Sequence, residues 1–360
     1  MLFAPALIAS ACSSSDTTAS SAGANDDASS NASDASEETE ESPSSDTDES
    51  SSTGTEEPGD AVEAEPEPTT RIVSTSFGDF EVPTDPRRVV VLNSSLDLPT
   101  ALDVGANVIG TLSFSGEKPA TSLVSDEEWA ALEILGTSVE TSLERIVAAE
   151  PDLVLVPPNS EEEFELYADA VTSVPIVLTN RWQDDARNVA DALNKVDEID
   201  ELLDDYNARA TDLGQRIRAE HGDTTIAFLR IRPGSLRIHT SVHFAGNVLD
   251  DVGLSMPEMW RREVLDDPVA NIMQRVEVIS PEQVGLLSDA DHIFVTVQGT
   301  AAQSEAEVQQ AADDILGSAL WATLPAVQTG QVNFVEGYWI AGTLRAADAA
   351  LGDLEAYFFG

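Results

Sequence analysis

Short runs of mainly apolar residues recur along the chain beyond Arg71, and they predict buried strands. These runs are Val89–Leu92, Val108–Gly110, Leu153–Val156, Ile176–Leu178, Thr225–Leu229, Leu236–Ile238, Ile293–Val297 and Gln331–Val335. Between them, apolar residues with helical spacing predict helices at Thr100–Val104, Leu143–Ala149, Gly246–Val252 and Leu344–Phe358. The alternation of strands and helices predicts an α/β fold with mainly parallel sheets covered by helices.

A longer helical pattern lies between Asp184 and Glu220. Apolar residues recur there every three or four positions, which is the spacing of one buried helix face. We predict two helices with a break near Asp197, whose carboxylate would cap the second helix. About 22 helical residues span roughly 33 Å, which is long enough to bridge two lobes.

Residues 142–156 and 280–295 resemble each other. Each stretch begins with Ser, carries Glu two positions later, and continues through a short amphipathic turn and an acidic turn into a buried strand. The similarity falls at equivalent places in the two α/β halves. It therefore predicts two related lobes that face a cleft.

The first 70 residues differ from this pattern in composition. Residues 2–11 are apolar and end in small residues before Cys12, so we interpret 1–12 as the end of a signal peptide with a lipobox, in which the Cys12 thiol receives lipid. Residues 13–70 contain 23 Ser or Thr and 17 Asp or Glu, with no basic or aromatic residue. Such a segment cannot bury enough apolar surface to fold. It predicts a disordered acidic tether at the outer face of the cytoplasmic membrane.

The charge of the chain excludes some partners. The formal net charge is −48, and it is −31 from Arg71 onward, where 18 basic residues face 49 acidic ones. A body of this charge repels nucleic acid. The single cysteine excludes an intrachain disulfide and a cysteine-based metal cluster. Four histidines, no nucleophile elbow and no phosphate-binding glycine loop give little support to a metal site or an enzyme. We therefore predict no protein-bound metal, no resident cofactor and no catalysis.

Several stretches are distinctive in sequence as well as in pattern. They are Pro86–Leu92, Leu102–Gly105, Phe244–Leu254 and the segment from Trp321, which runs Trp-x-x-Leu-Pro-Ala-Val-Gln-x-Gly-Gln-Val-Asn. Together with residues 142–156, and in this order, they resemble the iron-siderophore and cobalamin class (class III) of substrate-binding lipoproteins of ABC importers. The resemblance covers essentially residues 71–360.

This resemblance implies two Rossmann-like lobes joined by a long bridging helix, with a ligand cleft between the lobes and little hinge motion. The corresponding boundaries are 71–182 for the N-terminal lobe, 183–221 for the helical linker and 222–360 for the C-terminal lobe. It also implies that one surface glutamate of each lobe docks onto the permease subunits of an ABC transporter. The matching positions are Glu144 and Glu282. We expect a monomer that is attached to the membrane only through its lipid.

Candidate ligand contacts come from loops that follow strands, because ligands of open α/β sheets lie beyond the carboxyl ends of the strands. Aromatic rings would pack against the body of a chelate, and arginine side chains would bind its oxygens. The candidates are Phe114, Arg181, Trp182, Arg230, Arg232, Phe244, Tyr338 and Trp339.

The sequence leaves the ligand open within this class. A ferric siderophore, which itself satisfies the iron, is the main prediction. Cobalamin or haem is the alternative ligand, and an unrecognised α/β surface enzyme or a structural lipoprotein is the alternative function. The local arginines favour an anionic catecholate or carboxylate chelate, whereas the net charge of −31 favours a neutral or cationic one, such as a hydroxamate. We give the arginines more weight, because charge is screened beyond about 8–10 Å.

Overall fold

Five parallel strands form the first sheet. They are β3 (Val89–Val91), β4 (Val108–Ser113), β5 (Glu133–Thr137), β6 (Leu153–Val156) and β7 (Ser173–Pro175). The computed structural model describes residues 69–113, 117–137, 142–157, 161–179, 181–265, 273–299 and 303–360. The strand order is β5-β4-β3-β6-β7, and every neighbouring pair is parallel. This sheet and its helices are called the N-terminal lobe below.

Helices and a hairpin surround this first sheet. The hairpin pairs β1 (Thr70–Thr75) with β2 (Gly78–Pro83). The helices are α1 (Asp97–Asp103), α2 (Asp126–Ala130), α3 (Leu143–Ala148), α4 (Glu161–Ala168) and α5 (Trp182–Ala192). The strand predicted at Ile176–Leu178 was wrong in position, because the ladder ends at Pro175. The apolar residues at this position are explained by burial and not by strand pairing, because Ile176 is buried although it lies beyond the end of the strand.

The second sheet also has five strands, but it is mixed. The strands are β8 (Ile226–Arg232), β9 (Ser235–His239), β10 (Val276–Ile279), β11 (His292–Val297) and β12 (Val332–Phe334). In the order β10-β9-β8-β11-β12, strand β9 runs antiparallel to both neighbours. The expectation of mainly parallel sheets therefore holds fully only in the first lobe. The cause is the two-residue turn Pro233-Gly234, in which Gly234 has the positive φ of +80° that a tight turn requires.

Helices of the second half complete the C-terminal lobe around this second sheet. They are α7 (Phe244–Val252), α8 (Glu305–Leu316), α9 (Pro325–Gln328) and α10 (Leu344–Phe359). Short 3₁₀ helices lie at Glu258–Trp260, Pro281–Leu287, Trp321–Thr323 and Gly337–Ile340. No helix in the described ranges combines the length and the apolar character that crossing a bilayer needs.

The long helix α6 (Val196–His221) connects the two sheets. Its 26 residues correspond to roughly 39 Å. The predicted apolar stripe is confirmed. Its buried members are Ile199, Leu203, Tyr206, Ala210, Leu213 and Ile217. The break before α6 is also confirmed, but the predicted cap is wrong. Asp197 lies in the first turn, Lys195 is the N-cap residue without a side-chain cap, and Asn194 makes the break with φ +57°.

The internal similarity corresponds to equivalent structure. Helix α3 leads into β6, and the 3₁₀ helix Pro281–Leu287 leads into β11. Both strands occupy the fourth position of their sheets. Ser142 and Ser280 each accept a hydrogen bond at the start of their helix, as N-cap residues do. The second copy differs in being a 3₁₀ rather than an α-helix.

Close packing of α6 on α7 gives a test of the fold. A Cβ atom added at Gly214 of α6 would lie 1.7 Å from the carbonyl oxygen of Val252, the last residue of α7. We expect Gly214→Ala to lower the free energy of unfolding by about 2 kcal/mol or more, because backbone must move. Urea denaturation measures this. In Gly352→Ala on α10, where the added Cβ meets nothing within 4 Å, stability should stay equal or rise by up to about 1 kcal/mol. Equal effects at the two sites would contradict the packing.

Candidate ligand-binding site

Three arginines lie on one face of the second sheet, where β8 ends and β9 begins. The turn at Pro233-Gly234 pairs Arg230 of β8 with Arg237 of β9, and Arg232 with Ser235. Alternate residues of a strand share a face, and directly paired residues also share it. Arg230, Arg232 and Arg237 therefore project from the same face. We call these three residues the arginine row.

The arginine row has no acidic partner in the part of the chain that the structure describes. Within the described ranges, the side chains of Arg230, Arg232 and Arg237 form no ion pair or hydrogen bond, and the Nε atoms of Arg230 and Arg237 are buried without a partner. Burial, followed by the charges of Arg232 and Arg237, lowers the pKa of Arg230 to about 10. Burial and Arg237 likewise lower the pKa of Arg232. An incoming anion would relieve both the repulsion and the missing hydrogen bonds.

Below the row, aromatic side chains form a packed floor on the same face of the sheet. Phe228 stacks on Trp339 at a centroid distance of 5.7 Å, and Phe294 meets Trp339 edge-on at 5.3 Å. Trp339 is fully buried, and its Nε1 donates to Asp353 at 2.7 Å. Tyr338 also donates to Asp353, from its hydroxyl at 2.7 Å. These contacts hold the 3₁₀ segment Gly337–Ile340 in place.

Two neutral histidines continue this floor. His239 pairs with Phe228 across the strands, and its Nδ1 lies 3.0 Å from Nδ1 of His243. Burial is the main cause that lowers both histidine pKa values, and nearby arginines add to it. The pKa of His243 is lowered to about 3, and that of His239 falls well below its usual value. Both rings are therefore neutral at physiological pH, and one Nδ1 donates to the other.

Gln298 marks the rim of the site, where the two lobes touch. Its backbone N–H donates to the carbonyl of Ile231 at 3.1 Å, which places it beside the end of β8. Its Oε1 is buried without a hydrogen-bond partner. A Cβ atom added at Gly337 would lie 3.3 Å from Nε2 of Gln298 and 3.4 Å from Cγ2 of Thr121 in the N-terminal lobe.

The boundary between the lobes, which we call the seam, is held by Arg345 on one side. Arg345 of α10 donates to both carboxylate oxygens of Glu128 at 2.7 and 2.9 Å, and to Asp103 at 2.7 Å. Its hydrogen bonds help to lower the pKa of Glu128 to about 2. Burial raises the pKa of Asp103 against the attraction of Arg345. The paired fork is the geometry in which an arginine–carboxylate contact is strongest.

A second contact across the seam centres on Asp251 of α7, whose side chain is 6% exposed. Arg181 donates to it at 2.6 Å, Gln183 at 2.8 Å and the Tyr206 hydroxyl at 3.1 Å. Burial and the carboxylate of Asp251 raise the pKa of Tyr206 far above its usual value. This carboxylate thereby joins α5, α6 and α7.

Residues of both lobes line a pocket of about 90 Å³ at the seam. Its polar lining includes Asp185 from α5, His243 and Asn247 from α7, and Arg275 from the segment before β10. We call this the seam pocket. Arg275 donates to the carbonyl of Thr179, and the Thr179 N–H donates to Asp185 at 2.5 Å. Arg275, Thr179 and Asp185 thus form a chain across the seam.

The structure places the predicted contacts in three different environments. Arg230 and Arg232 belong to the arginine row, and Tyr338 is half-buried with its hydroxyl on Asp353. Arg181 is ion-paired, and the rings of Trp182, Phe244 and Trp339 are buried in the core. These four positions support the seam and the floor, and a direct ligand contact at any of the candidates stays a prediction.

The other predicted functional residues fall outside the site. Phe114 and Cys12 lie outside the described residues. Glu144 and Glu282 are exposed in the first turns of their helices.

Sequence reasoning missed Arg237, Gln298 and Arg275 as site residues. A signal for Arg237 was present, because Pro233-Gly234 is a turn sequence and Arg230 and Arg237 are equally distant from it. Gln298 directly follows a predicted strand and could have been included on that ground. Arg275 carries no local signal, since its position depends on packing against the other lobe.

Two parallel-rich sheets, a long connecting helix and a polar site near the seam define a two-lobed α/β binding protein. The model of the periplasmic binding protein family matches residues 89–337, and the chain belongs to this family.

Individual proteins agree with this assignment. A Bacillus subtilis protein named "Probable siderophore-binding lipoprotein YfiY" is 27% identical over 294 residues, which cover 80% of this chain and 88% of that protein. Staphylococcus aureus SirA, solved with staphyloferrin B, has a TM-score of 0.67 at 21% identity and covers 80% of this chain and 98% of its own. Bacillus subtilis FeuA, solved with ferri-bacillibactin, has a TM-score of 0.63 at 21% identity with the same coverage. The two structures share the fold of this chain.

The contact of Arg345 with the N-terminal lobe is open to a direct test. We expect Arg345→Met to lower the free energy of unfolding by about 2 kcal/mol, because it leaves two partly buried carboxylates uncompensated. Chemical denaturation gives the value. Arg209→Met removes the more exposed pair with Asp348 and should cost at most about 1 kcal/mol. A loss at Arg345 no larger than at Arg209 would show that the seam does not depend on this contact.

Proposed function

We propose that the protein captures an anionic ferric siderophore in the cleft and delivers it to an ABC importer. The arginine row carries this proposal, because it gathers three cations that have no partner among the described residues, in a body whose net charge is −31. The relatives support the substrate class. YfiY is named as siderophore-binding, and SirA and FeuA were solved with staphyloferrin B and ferri-bacillibactin.

The chemistry of the row fits catecholate or carboxylate oxygens on a chelate. A guanidinium presents several N–H donors in a fixed plane and binds such oxygens in pairs. The Nε atoms of Arg230 and Arg237 are buried and make no hydrogen bond. A ligand oxygen would therefore supply a hydrogen bond that these atoms lack, and would not have to displace bound water from them. The chelator itself satisfies the iron. The protein in this proposal supplies no metal ligand, holds no cofactor and catalyses no reaction.

Single arginine substitutions test the site. We expect Arg230→Ala and Arg237→Ala each to weaken binding of a ferric chelate by about 10- to 100-fold, because each removes hydrogen bonds to a charged group. Quenching of tryptophan fluorescence measures the affinity. The panel contains a ferric tris-catecholate, ferric citrate, a ferrioxamine-type chelate, cobalamin and haem.

A matched control is Arg87→Ala, since the Arg87 side chain is 80% exposed and pairs only with the exposed Asp85 among the described residues. It should bind as the wild type does. Unchanged affinity in both row variants, for a chelate that the wild type binds, would remove the arginine row from the site. Binding of cobalamin or haem alone would replace the proposed ligand.

The membrane attachment belongs to the same proposal. Lipid on Cys12 would hold the protein at the outer face of the cytoplasmic membrane, with residues 13–70 as the tether. The folded body would then act as a monomer within reach of the permease. The lipoprotein relative YfiY supports this arrangement.

Glu144 and Glu282 are the proposed permease contacts. A helix that leads into a parallel strand runs back along the sheet, so its first turn lies at the carboxyl edge of the strands. Helix α3 and the 3₁₀ helix Pro281–Leu287 both do this, one in each lobe. The exposed carboxylates therefore lie at the same edge of each lobe as the cleft. Ser142 donates to Glu144 at 3.2 Å, and the backbone N–H of Glu282 itself, followed by the Ser280 hydroxyl, lowers the pKa of Glu282.

Replacing both glutamates separates docking from binding. We expect Glu144→Ala with Glu282→Ala to abolish chelate uptake by cells that express the protein with its importer, and to leave chelate affinity unchanged, because charge pairs at a rim set orientation and association rate. Radioactive iron uptake and fluorescence titration provide the two readouts. Glu161→Ala with Glu305→Ala also removes one exposed first-turn acid from each lobe and should preserve uptake. Normal uptake by the first double variant would refute the docking role.

A further inference from the structure

The seam pocket holds an acid whose ionisation changes close to neutral pH. Asp185 of α5 is largely removed from water, and this burial raises its pKa to about 6 against the opposing hydrogen bonds from Thr179 and the attraction of Arg275. Asp184 on the same helix adds a smaller repulsion. Asp97 of α1, 3% exposed, faces Asp185, and burial followed by the Asp185 charge raises its own pKa strongly.

The groups that face Asp185 from the C-terminal lobe connect it to the arginine row. Arg275 lies across the seam from it, and His243 lines the same pocket from α7. The charges of both Arg275 and Arg230 act on His243, which stays neutral. Arg230 is the central member of the row. Asp185, Arg275 and His243 therefore line one pocket, and His243 contacts His239 at 3.0 Å, on the strand that carries Arg237 of the row. No acidic group of the described residues pairs with Arg230.

We propose that this pocket couples proton uptake to anion capture: an anionic ligand at the arginine row draws a proton onto Asp185, and its affinity rises as the solution becomes more acidic. The inference rests on the proposed function, because it describes the regulation of the same site. Arg275 acts as a positioning residue in it. Its charge is shared between Asp185 in one lobe and the site in the other.

The direction of the effect follows from the charges. Ionised Asp185 repels an anion at the row and also neutralises part of the positive field of Arg275. Protonation removes the repulsion and leaves Arg275 free to attract the ligand. By reciprocity, a bound anion makes ionisation of Asp185 less favourable and raises its pKa above the ligand-free value. Affinity must then increase as pH falls through about 6.

The size of the effect is measurable. If the bound ligand raises the Asp185 pKa by about one unit, linkage gives an affinity increase of about sixfold between about pH 7.5 and 5.5. The slope cannot exceed one decade per pH unit for a single proton. Any protonation of the chelate itself affects all variants equally and cancels in their ratio.

Asp185→Asn tests the coupling with little disturbance of the fold, since an amide oxygen can still accept from the Thr179 N–H. Asp184→Asn is the matched control, as it removes an exposed acid one residue away. The probe is the tris-catecholate complex, with gallium(III) in place of iron so that NMR signals survive. Fluorescence titration between about pH 5.5 and 7.5 gives the affinities. The Thr179 amide signal gives the ionisation of Asp185 with and without the probe.

We expect Asp184→Asn to keep the acid-side increase of the wild type, with a midpoint shifted only slightly to lower pH because the smaller repulsion from Asp184 is gone. Asp185→Asn should lose the acid-side increase and bind more tightly at about pH 7.5. The Thr179 midpoint should lie near pH 6 in the free protein and move upward with the probe. Parallel profiles in all three proteins, or a midpoint that the probe leaves unchanged, would overturn the coupling and leave the proposed function standing. Absence of chelate binding at every pH would overturn both.

Discussion

Contacts between arginines and carboxylates across the seam fix how the two lobes stand to each other. The chain passes from the first sheet to the second once, through α6, so the width of the cleft depends on these contacts and on the packing around them. Arg345 binds Glu128 and Asp103 of the N-terminal lobe with its whole guanidinium plane. Asp251 collects Arg181 from the other side. Partial burial makes such pairs costly to break, and their planar geometry favours one lobe arrangement over a range of arrangements.

The same residue type serves the opposite purpose in the arginine row. In an acidic body, unpaired arginines are conspicuous, since 49 acids beyond Arg71 are available to pair with them. The sheet places Arg230 and Arg237 directly opposite each other, and no acid of the described residues pairs with either of them. Burying an arginine and holding like charges together both cost free energy, and the lowered pKa of Arg230 reflects burial first and the charges of Arg232 and Arg237 second. In the proposed function an anionic ligand would offset this cost on binding, so the unfavourable arrangement would contribute to affinity.

Much of the fold follows from patterns that are local in sequence. The apolar runs locate the central strands β6 and β11, because a strand that is buried on both faces is apolar throughout. Apolar residues every three or four positions locate the buried stripe of α6, because only one face of that helix is buried. Chain direction in the second sheet did not follow from the apolar pattern, since one Pro-Gly turn reverses β9.

The candidate site was less predictable than the fold. Loops after strands indicated Arg230 and Arg232, but the same rule selected Trp182 and Trp339, which the structure buries. A residue after a strand can turn into the cleft or into the core, and the contacts that decide this come from distant elements. For Trp339 the deciding contact is Asp353 on the last helix.

The electrostatics of the site depend on which neighbours can change charge. The histidine pair below the row cannot do so near neutral pH, because burial beside Arg230 keeps both rings neutral. Uncharged histidines let the floor pack as an aromatic layer without adding to the repulsion among the arginines. Asp185 differs, because burial raises its pKa toward neutral pH, and the charge of Arg275 limits this increase so that the carboxyl group can still ionise. The field at the arginine row therefore depends on a carboxyl group of the opposite lobe, and the contacts that hold the seam closed also bring that group close enough to act.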